Sequence, residues 1–439
     1  MLRSLLVVAV MVPGVYFALR NRFAALLLYI WFGLFRPQDW LWIDVTDLRL
    51  SLLLGATLIL PSFMGGIWPN FTHPLSVGTF AFLMTGLLAQ FGAVDPDVGW
   101  EWIDFQTRLT LISLMTVTLI TTRQRMVLAV AVVGGSLGFH AAKAGFASML
   151  GGGVRFYDGL AGAFPDNNGY ALVTVMVMPL LLATAQNLTE ARWKWIRRGF
   201  YAAVALCGIT VVSTYSRGGF LALAVAMLAY IMLQRRRVGV LLGVAVFAGI
   251  AYLVAPVPQG YLDRLETIQT YEEVDDESAL SRLHFWRVAT IMASNRAFGV
   301  GMRNFEAAYN QYDFSYGQFG VRRSVHSSHF QVLAELGFPG AFIWIVMFAL
   351  AFALGLRVRR RSRHPDLTSE ERRFYFTMAN GLMVSMVGFI VGGAFVASAL
   401  NDVTWLTFAM MASLDRLAHQ PVSLPVLAPA TTQLAGRLS

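Results

Sequence analysis

Apolar positions along the chain fall into long runs separated by short polar joints, at roughly 2–18, 23–35, 48–64, 74–94, 105–121, 126–150, 169–187, 199–215, 219–234, 238–255, 331–356, 374–397 and 400–418. A helix crossing a hydrocarbon layer needs about 20 largely apolar residues. The pattern therefore predicts an all-α polytopic membrane protein with twelve or thirteen transmembrane helices, about twelve if the short run at 23–35 and the run before it form a hairpin of half-helices. Only Arg3 precedes the first apolar stretch and no small-x-small site follows before Arg20, so this run is expected to stay as an anchor rather than be cleaved.

Basic residues in short joints set the expected orientation. Arg123 and Arg125, then Arg192, Lys194, Arg197 and Arg198, then Arg235 to Arg237, and finally Arg357, Arg359, Arg360, Arg361 and Arg363 all fall on one side, expected to be cytoplasmic. The alternate joints then face outward, among them the turn Ser216–Gly219 and the segment 256–330. That segment has no spanning run and carries seven Arg against nine Asp and Glu, a net charge of 7 − 9 = −2. Its length and aromatic content predict a folded periplasmic loop domain lying on the membrane. The expected organisation is membrane helices 1 to about 10 over 1–255, the loop domain over 256–330, C-terminal membrane helices over 331–420 and a flexible tail over 421–439.

Composition agrees with lipid as the solvent. Charged residues make up 13% of the 439, about half the share in soluble domains, while apolar residues reach 56%. The single cysteine, Cys207, leaves no intramolecular disulfide and no cysteine-based metal site. The net charge of +9 could suggest nucleic acid, but it lies in clusters between apolar runs rather than along one face, so no nucleic-acid partner is expected.

The candidate chemistry gathers on the outer side. Arg282-Leu-His-Phe-Trp-Arg287 precedes Ala297-Phe-Gly-Val-Gly301 and, further on, His326-Ser-Ser-His-Phe-Gln-Val-Leu-Ala-Glu-Leu-Gly-Phe-Pro-Gly340. Residues 281–294 fit a helix whose stripe of Leu283, Trp286, Thr290 and Ala293 lies on lipid while Arg282 and Arg287 point elsewhere. Two guanidiniums beside a bilayer suit a diphosphate, because the planar fork of donors matches phosphate oxygens; anchoring to phospholipid headgroups is the plainer role.

His326 opens the last long outer-to-inner helix, where an imidazole can take a proton from a sugar hydroxyl near neutral pH. His329 stands one turn on, without a third ligand at metal spacing. Arg217, in Ser213-Thr-Tyr-Ser-Arg-Gly-Gly219, interrupts two apolar runs, which is costly unless it lines a wet cavity or is paired. Gly151-Gly-Gly-Val-Arg-Phe-Tyr-Asp158 and Phe164-Pro-Asp-Asn-Asn-Gly169 add Arg155, Asn167 and Asn168; His140 and Lys143 stay open candidates. Asp95-Pro-Asp97, with Asp44 and Asp47, resembles the metal-binding acidic pair of nucleotide-sugar enzymes, but Asp and Pro at an exposed joint are ordinary turn chemistry.

Taken in order, Ser-Arg-Gly at an outer turn, a long loop carrying Arg-x-x-x-Trp and Gly-Val-Gly, and His followed by Leu-Gly-Phe-Pro-Gly resemble the bacterial O-antigen ligase and O-antigen polymerase superfamily over about 155–400. Trp31-Phe-Gly-Leu-Phe-Arg-Pro-Gln-Asp39 and Arg264 to Tyr271 resemble its exosortase-associated O-glycosylation ligases. The resemblance implies a GT-C-type fold in the bacterial inner membrane. It also implies a glycosyltransferase, facing the periplasm, that moves a glycan from undecaprenyl diphosphate to an acceptor hydroxyl, without a cofactor, nucleotide or metal. By this likeness His326 activates or orients the acceptor, and Arg217, Arg264 and Arg282, with Arg287, bind the donor diphosphate. Arg155, Asn167, Asn168 and His329 are further substrate contacts. Ser327 replaces the asparagine often found after the histidine, and His329 an aromatic, so the acceptor side departs from the best-known ligases. Transfer to lipid A-core is the first reading; a protein O-oligosaccharyltransferase or an O-antigen polymerase would use the same donor. A lipid-linked glycan flippase would be expected to show basic groups along a path through the spans or paired half-repeats, and the sequence shows neither.

Overall fold

The computed structural model describes residues 2–41, 48–151, 158–160, 164–239, 241–243, 245, 249 and 277–419. Fourteen helices follow one another among these: α1 Leu2–Arg20, α2 Arg22–Phe35, α3 Leu50–Met64, α4 Pro74–Gln90, α5 Pro96–Leu119, α6 Arg123–Leu150, α7 Asn167–Asn187, α8 Lys194–Ser213, α9 Arg217–Leu233, α10 Glu277–Asn295, α11 Phe305–Tyr312, α12 Ser328–Arg361, α13 Ser369–Gly392 and α14 Asp402–His419. A two-stranded antiparallel hairpin, β1 Asp158–Leu160 with β2 Phe164–Asp166, precedes α7.

Helix starts follow local chemistry. Asp95 caps α5 with Pro96 as its first residue, Thr122 caps α6, and Ser216 caps α9. Thr368 and Glu371 close a reciprocal capping box on α13.

Among the described residues, five helical stretches are long and apolar enough to cross a membrane: Arg123–Leu150, Asn167–Asn187, Ala191–Ser213, Ser328–Arg361 and Ser369–Gly392. Other apolar helices are shorter: Ser4–Arg20, Arg22–Phe35, Leu50–Met64, Pro74–Gln90 and Arg217–Leu233. The architecture is that of an all-α membrane protein, but length and hydropathy do not recover all twelve expected spans. α3 has only 15 residues, α5 carries Asp97, Glu101, Asp104 and Arg108 among its first 13 residues, and the run at 238–255 lies mostly outside the described residues.

α7 and α13 form the centre. α7 packs on α6, α8, α9 and α13, while α14 packs on α5, α12 and α13. α8 leaves most of its surface outside this core. The main core joins Phe82, Trp344, Phe389, Trp405 and Phe408 with many aliphatic side chains.

A second apolar cluster unites α10 and α11 with the start of α12 through Phe285, Val288, Ala289, Met292, Phe305, Tyr309, Val325 and Ala334. This corrects the predicted face of α10. Leu283 and Thr290 are exposed as expected, but Ala293 is fully buried and Trp286 stacks on Phe330 at 5.2 Å, so the stripe does not lie together on the outside. Arg287 is on the exposed side, over the Phe314 ring at 5.1 Å.

The two glycine motifs are one interlock. α12 breaks at Gly337 (φ 64°, ψ −164°), a conformation nearly confined to glycine. There the chain meets 297–301: Val300 N donates to Ala334 O (3.0 Å), Gly301 N to Glu335 O (3.1 Å) and Phe338 N to Ala297 O (3.1 Å). Gly299 (φ 84°) faces Gly337 across this contact, and a Cβ on either would press into the other segment's backbone. The buried carboxylate of Glu335 reinforces it by accepting from Arg303 N (2.8 Å) and Gln331 Nε2 (3.2 Å).

Candidate functional site

The site lies at the end of the bundle opposite the Arg357–Arg361 cluster, where α12 begins. His326 takes a left-handed conformation (φ 47°), and Ser327 then caps α12. Ser328 fixes this start against the α13–α14 joint: its N–H donates to Gly393 O (2.7 Å), its hydroxyl donates to Val396 O (2.6 Å) and accepts from Ser398 N (3.0 Å). The imidazole is half-buried, with the Phe285 ring centroid 6.0 Å away. Burial holds its pKa below the ordinary imidazole value, the charges of Arg282 and Arg323 push the same way, and Asp166 opposes them. A neutral ring near pH 7 can accept a proton.

Arg217 and Arg282 approach this place from different elements. Asn167 Nδ2 donates to Thr214 O (2.9 Å) and Ser216 Oγ donates to Asn168 Oδ1 (2.7 Å), which ties the start of α7 to the start of α9. Ser216 Oγ also accepts from Gly219 N (3.0 Å), so Arg217 opens a capped helix N-terminus. That terminus carries its own partial positive charge and favours anions. At Gly218 a Cβ would meet the Phe395 side chain at 2.8 Å, and Arg282 Cζ lies 5.9 Å from the same ring. Phe395 is thus the floor on which the Ser-Arg-Gly turn and α10 converge.

A cavity of about 400 Å³ lies at the same end of the bundle, lined by Arg36, Asp166, Arg303, Gln331, Asn401 and Asp402 among others, and Asp166 is the residue it shares with the surroundings of His326. Arg36, Gly33, Phe105 and Asp402 also line a neighbouring cavity of about 260 Å³. The Trp31–Asp39 segment reaches this region because His140 Nε2 hydrogen-bonds Phe35 O (2.9 Å) and Lys143 sits 5.1 Å from the Trp40 ring. Those two residues of α6 thereby have positions explained by packing.

The structure brings His326 and Arg282 together, with Arg217, Asn167 and Asn168 around them. It does not bring Arg287 into that group, since this side chain turns to Phe314. His329 has both ring nitrogens engaged, Nε2 with Ile390 O (2.9 Å) and Nδ1 accepting from Trp344 Nε1 (3.1 Å), so it positions α12 against α13 and offers neither nitrogen to a substrate. Arg155, Arg264, Asp44 and Asp47 lie outside the described residues. Asp95 is spent on capping α5, accepting from Val98 N (3.3 Å).

Several neighbours went unread in the sequence. Arg323, three residues before His326, had a signal in its spacing. Asp166 lies in the Phe164–Gly169 motif, where the two amides after it are the more conspicuous polar groups. Phe395, Asn401 and Asp402 lie within the apolar runs 374–397 and 400–418, which gave no sign of a site at their junction.

Residues 202–345 match the family model described as O-Antigen ligase, Wzy_C, which supports the O-antigen ligase superfamily. The match covers the later part of α8, all of α9, the Arg282 helix, the His326 turn and the first half of α12. No curated protein matches the chain.

Proposed function

We propose, from the O-antigen ligase superfamily as premise, that this chain is an inner-membrane O-antigen ligase moving a glycan from undecaprenyl diphosphate to lipid A-core on the periplasmic side. The observation that carries this is a half-buried His326, with its pKa held down beside Arg282 and Arg323, at the same end of the bundle as a cavity with room for sugar rings. In this reading the acceptor hydroxyl sits within reach of the His326 imidazole, which takes its proton as the oxygen attacks the anomeric carbon. The bond from that carbon to the diphosphate oxygen breaks, and undecaprenyl diphosphate leaves with the electron pair. Arg217 and Arg282, with Arg264 as a further donor contact, bind the diphosphate and stabilise the charge that grows on it. A single displacement of this kind inverts the anomeric configuration. Arg36, Arg303 and Asp402 supply hydrogen bonds for sugar hydroxyls in the cavity.

The test is glycan transfer by the purified protein in liposomes with undecaprenyl diphosphate glycan and lipid A-core, EDTA present. Ligated lipid A-core with inverted linkage is the expected product. Product only with a Ser/Thr-rich secreted protein, or only with a second donor, makes the protein a protein O-oligosaccharyltransferase or a polymerase. Transbilayer movement of donor without any transfer makes it a flippase.

A further inference from the structure

Far from His326, an apolar cavity of about 500 Å³ runs between α7, α8, α9 and α13, lined by Val175, Pro179, Tyr201, Leu223, Tyr230 and Val384 among others. It is more than three times the volume of an apolar cavity that holds benzene, about 150 Å³. Nearer the basic joints lies a second cavity of about 440 Å³, lined by Gln186, Arg197, Tyr201, Arg373 and Thr377. Tyr201 lines both, and Gln186 Nε2 of the second donates to Tyr230 Oη of the first at 2.9 Å, so the two are halves of one slot. From Val175 to Gln186 along α7 the slot spans about 16 Å at 1.5 Å per residue.

The mouth is positive. Neither Arg197 nor Arg373 has an ion-pair partner among the described residues. Arg373 Nη2 donates to Thr189 Oγ1 (3.2 Å), but its Nε is buried and has no acceptor. A buried guanidinium nitrogen without an acceptor is costly. Two guanidiniums lining one mouth without a carboxylate suit an oxygen-rich anion, and the greasy remainder of the slot calls for a hydrocarbon chain on the same molecule. The slot also borders α8, the least covered of the five long apolar helices.

We propose that this slot binds one anionic glycerophospholipid of the leaflet on the Arg197 side, its phosphate at Arg197 and Arg373 and an acyl chain between α7, α8, α9 and α13. The lipid completes the packing of α8 against the bundle. The site is separate from His326 and Arg282 and does not depend on what the chain transfers.

The experiment is native mass spectrometry of the full chain in detergent, titrated with phosphatidylglycerol or with phosphatidylcholine of matched acyl chains. One phosphatidylglycerol should be retained with a preference of about 10- to 30-fold, the effect of two arginines near an anionic headgroup. Arg197→Gln with Arg373→Gln should remove the preference. Arg192→Gln with Arg198→Gln deletes the same charge from exposed positions of the neighbouring segment and should keep it. Equal retention of both lipids by the unaltered protein overturns the proposal even if a variant fails to fold. Equal loss in both double variants overturns it too, since the effect is then bulk charge. Displacement of phosphatidylglycerol from the slot by a polyprenyl phosphate would also overturn it, assigning the slot to a prenyl chain.

Discussion

Replacing Gly337 by Ala tests the interlock that sets the start of α12, and with it the position of His326. The backbone there (φ 64°, ψ −164°) costs an L-residue about 1–3 kcal/mol. The added Cβ would sit 2.7 Å from Gly299 N and closer still to the Ala297 carbonyl. Accommodating an extra methyl in such a place costs about 1–3 kcal/mol more. The sum, about 2–6 kcal/mol, should lower the thermal midpoint by about 2–6 °C for a chain of 439 residues, at about 2.1 cal/mol/K per residue. The assay is tryptophan fluorescence of the protein in detergent. The control is Gly135→Ala, inside α6, where a Cβ meets nothing within 4 Å. It should be neutral or raise stability by up to about 1 kcal/mol. Equal midpoints for the two variants would refute the reasoning, because the interlock would then tolerate a side chain.

Three further outcomes follow from the same structure. Glu335→Ala should cost about 1–3 kcal/mol by leaving Arg303 N without its acceptor, and Glu335→Gln less, read from the same thermal midpoint. Arg282→Gln should slow transfer about 10²–10³-fold, and Arg282→Lys should restore only part, measured as kcat/KM for the donor. The acid limb of the transfer rate should lie below pH 6.5, the ordinary imidazole pKa of about 6.5 being lowered in the fold. The stability sign agrees: as pH falls through about 6.5 the unfolded chain takes up a proton that folded His326 does not, so stability declines with acidification until the folded pKa is passed.

Much of the helical framework was legible because burial in an apolar medium leaves one long run per helix. The runs at 74–94, 169–187 and 219–234 correspond to α4, α7 and α9, whereas α5 begins at Pro96, ahead of the run at 105–121, because its first turns are polar and Asp95-Pro96 is as good a turn as a helix start. Other features were not local. α10 carries apolar residues on two sides, so a 3.6-residue period admitted the stripe of Leu283, Trp286, Thr290 and Ala293 as readily as the buried face through Phe285, Val288, Ala289 and Met292. Only contact with α11 and α12 decides between them. His326, Arg282 and Arg217 were marked by charge at the edge of apolar sequence, which is expensive and therefore visible. Arg36 and Asp402 line one cavity from positions 366 apart, and nothing in either segment announces the other. The Gly299–Gly337 contact likewise left only two ordinary-looking glycine motifs.

The central claim is that His326 carries the acceptor's proton at a donor site built by arginines. Its most direct measurement pairs transfer with donor binding in the unaltered protein and His326→Ala. The account predicts a rate about 10²–10⁴-fold lower in the variant with donor affinity unchanged and the acid limb gone. Full transfer by the variant, or a loss wholly explained by weaker donor binding, would contradict it.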